Sequence, residues 1–127
     1  MPSNKVLIVE DNPMNMELTA DLLEINDYSV LQATTAEEGI NIAKTESPDL
    51  ILMDIGLPGM DGLAATKILK NNEKTKKITI IALTSHAMIG DDETVRKAGC
   101  DGYITKPIVI KEFLQKIAQY FPSSSSI

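Results

Sequence analysis

Four apolar runs in this chain are closed by polar residues able to do chemistry. Glu10 and Asp11 close Val6-Leu7-Ile8-Val9, and Asp54 closes Leu50-Ile51-Leu52-Met53. Thr84 closes Ile78 to Leu83, and Lys106 follows Gly102 to Thr105. If the runs are parallel strands, three carboxylates, a hydroxyl and an ammonium converge on one edge of a sheet. Packing three acids together is unfavourable unless a cation or protons neutralise them. Hard oxygen donors with no cysteine and no histidine pair nearby favour Mg²⁺ over zinc. Magnesium also keeps several waters, leaving positions that a phosphoryl oxygen can fill. One acid after a strand is ordinarily a solvated loop residue or a helix N-cap, and one lysine is ordinarily solvated. Polar closure of four of five apolar runs, all at the edge where ligands of α/β sheets bind, is not explained by those roles. The constellation carries the reading.

The elements that must position these residues follow from the pattern. Val6 to Val9 is continuously apolar, as a strand buried on both faces should be. Asn12-Pro13 offers an N-cap and a proline at the first helical position, and Leu18, Leu22 and Ile25 mark one apolar helix face. A second run, Tyr28 to Ala33, leads into Thr35-Ala36-Glu37-Glu38, a capping-box pattern. Pro48 introduces the third run, which ends at Asp54. The loop Gly56-Leu57-Pro58-Gly59 precedes a helix carrying Leu63, Ile68 and Leu69. After Thr84, the acids Asp91, Asp92 and Glu93 suit the first turn of a fourth helix, and Gly99 suits its left-handed end. Gly102 to Thr105 is a brief fifth strand. Phe113, Leu114, Ile117 and Ala118 form the stripe of a fifth helix that Pro122 stops. A β-α unit repeated five times predicts an α/β fold, a parallel sheet with helices on both faces.

Composition sets limits. The 127 residues fit one domain, expected over residues 5–121 with a disordered tail at 122–127, and 43% hydrophobic with 24% charged residues is ordinary for a soluble globular protein. The single Cys100 cannot form an intramolecular bridge, so a cytoplasmic, reducing setting is expected. The first apolar run ends in Glu10-Asp11, which fits neither a signal peptide nor a membrane span. A net charge of -6 argues against nucleic acid as a partner, which needs clustered Lys and Arg.

The ordered set Glu10-Asp11, Asp54, Thr84 and Lys106-Pro107 resembles the receiver domain of two-component response regulators. Leu50-Ile51-Leu52-Met53-Asp54-Ile55-Gly56-Leu57-Pro58-Gly59-Met60-Asp61-Gly62 is similar to that family's third-strand signature. The likeness covers about Lys5 to Phe121. Val9-Glu10-Asp11-Asn12-Pro13-Met14-Asn15 further resembles single-domain cell-division regulators of the DivK type. The resemblance implies a doubly wound, flavodoxin-like (βα)5 fold with five parallel strands in the order 2-1-3-4-5. It implies that Asp54 is the phosphoacceptor, its carboxylate attacking phosphorus in line. Asp11, Asp54 and the backbone carbonyl of Gly56 would ligate Mg²⁺, and Glu10 would hold the metal through water. Many relatives have Asp where this chain has Glu10. Thr84 would donate its hydroxyl to a phosphoryl oxygen, Lys106 would pair with another, and Pro107 would follow a cis peptide bond. Tyr103 falls where the family often has a switch aromatic coupled to Thr84. A tyrosine packed between strand and helix is the competing account of that residue.

The resemblance also implies partners: a histidine kinase or histidine phosphotransfer protein as donor, and a downstream protein at the face of the fourth helix, fifth strand and fifth helix. A monomer or weak dimer is expected, without membrane association and without turnover of an external substrate. Rival readings differ at particular residues. A haloacid-dehalogenase-type phosphatase needs a second acid two residues after the nucleophile, where this chain has Gly56. A flavodoxin-like electron carrier needs a Ser, Thr and Gly-rich loop where this chain has Asn12-Pro13-Met14-Asn15. A receiver cut from a hybrid histidine kinase or a multi-domain regulator keeps the chemistry and changes the context. His86, the only histidine, reads as a solvated loop residue, and Cys100 as a small packing residue rather than a redox sensor.

Overall fold

The structure, a computed structural model, describes residues 4–55, 62–84, 96–105 and 108–120. Five parallel strands, β1 (Lys5–Val9), β2 (Ser29–Ala33), β3 (Leu50–Asp54), β4 (Thr79–Thr84) and β5 (Gly102–Thr105), form one sheet in the order β2-β1-β3-β4-β5. The described helices are α1 (Pro13–Ile25), α2 (Ala36–Glu46), α3 (Gly62–Lys70) and α4 (Ile110–Ala118). Residues 96–98 are helical and lead to Gly99, whose φ of 106° is the left-handed ending expected there. The acids expected to open that helix, Asp91 to Glu93, lie outside the described residues, as do His86, Pro122 and the serine-rich tail. The helix expected fifth in the sequence is therefore α4.

The central strands are apolar throughout because both of their faces are covered. Val6 to Val9 and Leu50 to Met53 have no exposed surface. Alternate residues feed two cores. On one face Leu7, Val9, Ile51, Met53, Ile80 and Ala82 meet α2 and α3 through Ile40, Ala43, Ala65 and Leu69. On the other, Val6, Ile8, Leu50, Leu52, Ile81 and Leu83 meet α1 and α4 through Met16, Leu23, Phe113 and Ile117. Full burial of each such side chain contributes about 1.5–3 kcal/mol.

The face of α1 marked by Leu18, Leu22 and Ile25 is not the buried one. Leu18 is 45% and Ile25 76% exposed, Leu22 is half-buried, and the covered face is Met16, Thr19, Ala20 and Leu23. Small Thr19 and Ala20 let the helix axis approach the sheet, so side-chain size rather than hydropathy selects that face. Ile68 and Ala118, also read as stripe residues, are exposed. Both expected N-caps are present. Asn12 Oδ1 accepts from the backbone N–H of Met14 (2.9 Å) and of Asn15 (3.1 Å). Thr35 Oγ1 accepts from Glu38 N–H at 3.1 Å, and Glu38 Oε1 accepts in turn from Thr34 N–H at 2.8 Å. The reciprocal bond thus lands one residue earlier than in the usual capping box.

Candidate functional site

Strand direction carries the polar strand-closing residues to one edge. The sheet order places β1 and β3 side by side although α1, β2 and α2 separate them in sequence. Their carboxyl ends therefore flank the crevice where strand order reverses, the place α/β folds offer a ligand.

Glu10 follows β1 directly. Its backbone N–H donates to Ala33 C=O at 3.0 Å, extending the β1–β2 pairing by one residue. The side chain is buried, and its Oε2 accepts from Asn12 N–H at 3.2 Å. Asp11 is exposed between this buried acid and the Asn12 cap. Three consecutive residues thus place one acid inside, aim a second outward and start α1. Asp54 is the last residue of β3, buried, and paired with Leu83 of β4. Ile55 N–H donates to Leu83 C=O at 3.1 Å, so the strand end is held beyond Asp54.

One carboxylate oxygen from each of Glu10, Asp11 and Asp54 lies within 4.8 Å of the others, the sole such group of metal-binding side chains among the described residues. Ionised carboxylates at that spacing repel one another, more strongly between the buried Glu10 and Asp54 than at solvent-screened Asp11. A small hard divalent cation removes that cost, and an all-oxygen donor set without nitrogen or sulfur fits Mg²⁺. Glu10 and Asp11 also line a groove of about 580 Å³ between α1 and the β2 side, together with Glu17, Asp21 and Glu24 of α1. Its negative field favours a cation there.

Thr84 is the last residue of β4, buried, and one position past the partner of Asp54. Tyr103 pairs with Ala82, two residues before Thr84, so all three fall on one face of the pleat. Tyr103 is half-buried against the core containing Ala82, and Lys116 Nζ of α4 stands 5.8 Å from its ring centroid. Gly56, Lys106 and Pro107 lie outside the described residues. Cys100 is buried and donates to Thr66 Oγ1 at 3.7 Å. Burial pushes its thiol above the usual range, and Asp101 pushes the same way, so the residue packs rather than reacts. One residue was missed as part of this site. Gly62 opens α3 directly against the backbone of Asp54 and Ile55. The only signal for it was a glycine where a helix starts soon after the strand bearing the key acid.

The fold and site define a doubly wound α/β domain with an acidic cluster at its switch point, able to hold a metal ion. The response regulator receiver domain matches residues 6–118, and this chain belongs to that family, the receivers of two-component signalling. It is 44% identical over 118 residues to the polar-differentiation response regulator DivK of Brucella ovis, covering 93% of this chain and 96% of that one. Among solved structures, it is 32% identical to the receiver domain of a sensor histidine kinase from Pseudomonas aeruginosa, with a TM-score of 0.86. That match covers 94% of this chain and 98% of the other, whose structure has a magnesium ion coordinated in the active site cleft. The chemotaxis protein CheY4 of Vibrio cholerae shares the fold, with a TM-score of 0.89 at 23% identity over 94% of this chain and 99% of that one.

Proposed function

We propose that Asp54 is the phosphoacceptor and that Glu10, Asp11 and Asp54 hold Mg²⁺ beside it. The observation that carries this reading is the convergence of three carboxylates within 4.8 Å at the ends of β1 and β3. The buried Asp54 is the acid fixed by strand pairing on its sequence neighbours, which suits a nucleophile that must be aimed. Its carboxylate oxygen attacks phosphorus in line. The bond to the donor nitrogen breaks, and the imidazole of a histidine kinase or phosphotransfer protein leaves with the electron pair. When bound, Mg²⁺ supplies charge neutralisation for the phosphoryl oxygens. Asp11 and Asp54 would ligate it directly with the Gly56 carbonyl, and Glu10 through water. Thr84 donates its hydroxyl to one phosphoryl oxygen and Lys106 pairs with another.

The domain spans residues 5–121 and works in the cytoplasm as a monomer or weak dimer. It turns over no external substrate. Among the described residues, no helix is long and apolar enough to cross a membrane. Readout passes from Thr84 to Tyr103 along the shared face of β4 and β5. It emerges for a downstream protein at the surface of the helix before Gly99, β5 and α4, where a cavity of about 200 Å³ adjoins Tyr103 and Lys116. A second context is supported by the likeness to a sensor-kinase receiver: the same chemistry serving a relay within a hybrid kinase.

Incubation with acetyl phosphate and Mg²⁺, followed by reductive trapping and peptide mapping, tests the acceptor. A Mg²⁺-dependent label on Asp54 is expected; a label on another residue, or none, overturns the assignment. For the switch, beryllofluoride with Mg²⁺ should shift the Tyr103 ring resonances of the wild type by NMR. In Thr84→Ala they should stay put.

A further inference from the structure

We infer that Gly62 is a positioning residue for Asp54: the absence of a side chain lets the first turn of α3 rest on the end of β3 and so fixes where the Asp54 carboxylate stands. The inference rests on Asp54 as phosphoacceptor. A Cβ at Gly62 would lie 2.5 Å from the Asp54 carbonyl oxygen, 2.7 Å from Ile55 Cα and 2.9 Å from Met53 Cγ. Ordinary contacts of this kind begin at 3.4 Å, so about an ångström would have to open. Gly62 is not among the residues with positive φ, so the demand is for space and not for conformation.

The other described glycines differ in what they face. A Cβ at Gly39 would meet a Val9 methyl at 2.7 Å, one at Gly99 a Lys70 methylene at 2.9 Å, and one at Gly102 the Tyr120 hydroxyl at 2.7 Å. Those obstacles are side-chain atoms, and none belongs to Asp54 or its chain neighbours. At Gly62 the two nearest obstacles are backbone atoms of Asp54 and Ile55, which cannot move without moving the carboxylate.

Both sides of this contact are held. Pairing of Asp54 with Leu83, and the Ile55 N–H bond to Leu83 C=O, tie the strand end to β4. On the helix side, fully buried Thr66 donates its hydroxyl to Gly62 C=O at 2.8 Å. That bond fixes the first turn while Ala65 and Leu69 anchor the helix in the core. A displacement imposed at Gly62 is therefore shared with Asp54 instead of being absorbed by a loose helix end. A misplacement of about 1 Å costs on the order of 10²-fold in rate where reacting atoms must be aligned.

The experiment compares wild type, Gly62→Ala, Thr66→Val and Leu69→Val with acetyl phosphate and Mg²⁺. Labelling rate and the rise in melting temperature on adding Mg²⁺ are both measured. Gly62→Ala should label on the order of 10²-fold more slowly and lose most of the Mg²⁺-induced rise. Leu69→Val loosens α3 seven residues away. It should melt lower yet label close to the wild-type rate, which separates positioning from stability. Equal labelling and an equal Mg²⁺ response in Gly62→Ala and Leu69→Val would overturn the inference. If Gly62→Ala does not fold, Thr66→Val decides: slower labelling at retained shape supports positioning, and wild-type labelling refutes it. If the wild type takes no label, the phosphoacceptor reading falls. The Mg²⁺ response of Gly62→Ala then decides the role of Gly62 alone.

Discussion

The two edges of the sheet treat charge in opposite ways. Where the strands begin, opposite charges and backbone dipoles meet. Lys70 Nζ donates to Asp101 Oδ2 at 3.0 Å and to Ile78 C=O at 2.8 Å, and the same Asp101 oxygen accepts from Ile80 N–H at 2.8 Å. Asp49 accepts from the backbone N–H of Lys5 at 2.9 Å, while Lys5 Nζ donates to Glu46 C=O at 3.0 Å, near the end of α2. Where the strands end, Glu10, Asp11 and Asp54 bring three like-charged groups within 4.8 Å of one another. The first edge ties α3, β4 and β5 to one another and serves stability. The second sets like charges against stability, and local choices that oppose stability are where function is expected. Direction of the parallel strands makes the contrast possible, since it gives the sheet one edge for each task.

The sharpest way to break the comparison is to remove the reacting acid. Asp54→Asn keeps size and shape and should lose covalent phosphate completely from acetyl phosphate with Mg²⁺, while far-ultraviolet circular dichroism stays that of the wild type. If Asp54→Asn is labelled to the wild-type extent, the functional edge has been assigned to the wrong residue.

How far each edge was legible in the sequence follows from the same contrast. The convergence of Glu10, Asp11 and Asp54, and the place of Thr84 at the end of β4, were readable because each follows or ends an apolar run, and the run-to-element relation is local. The strands were placed to within a residue at their ends for the same reason. The stabilising edge was not readable, since Lys70 and Asp101 are 31 residues apart and meet only once β4 and β5 are paired. The outward face of α1 was misread because large apolar residues outweigh alanine in any pattern. Leu23→Ala should therefore cost about 2–5 kcal/mol in urea unfolding. Leu18→Ala, on the stripe the pattern favoured, should cost well under half of that. Equal costs would restore the stripe as the core face.

A smaller effect tests the stabilising edge. Asp101→Ala removes the side-chain acceptor of Ile80 N–H and the ion-pair partner of Lys70, which keeps its bond to Ile78 C=O, and these groups are only partly exposed. A loss of about 1–3 kcal/mol is expected, the usual cost of leaving such donors unmet. The rise in melting temperature on adding Mg²⁺ should be unchanged, because the two edges share no residue. Abolition of that rise in Asp101→Ala would show that the edges are not independent.

The smallest effect has the opposite sign, which makes it the most discriminating. Asp11 is the exposed member of the acidic group and lies within 4.8 Å of both Glu10 and Asp54 by one oxygen each. Solvent screens it more than its buried neighbours, so removing its charge relieves only part of the repulsion. Asp11→Asn should raise the melting temperature of the metal-free protein slightly. Mg²⁺ stabilises the native state by binding it selectively, and that increment depends on the same carboxylate. The variant should therefore start higher and respond less, so that at saturating Mg²⁺ the wild type is the more stable of the two. Thermal melts with and without Mg²⁺ read this crossing of stabilities directly. Loss of stability in metal-free Asp11→Asn, with an intact Mg²⁺ response, would mean that Asp11 is held by favourable contacts, as Asp101 is at the other edge. The contrast between the edges would then have no basis in charge.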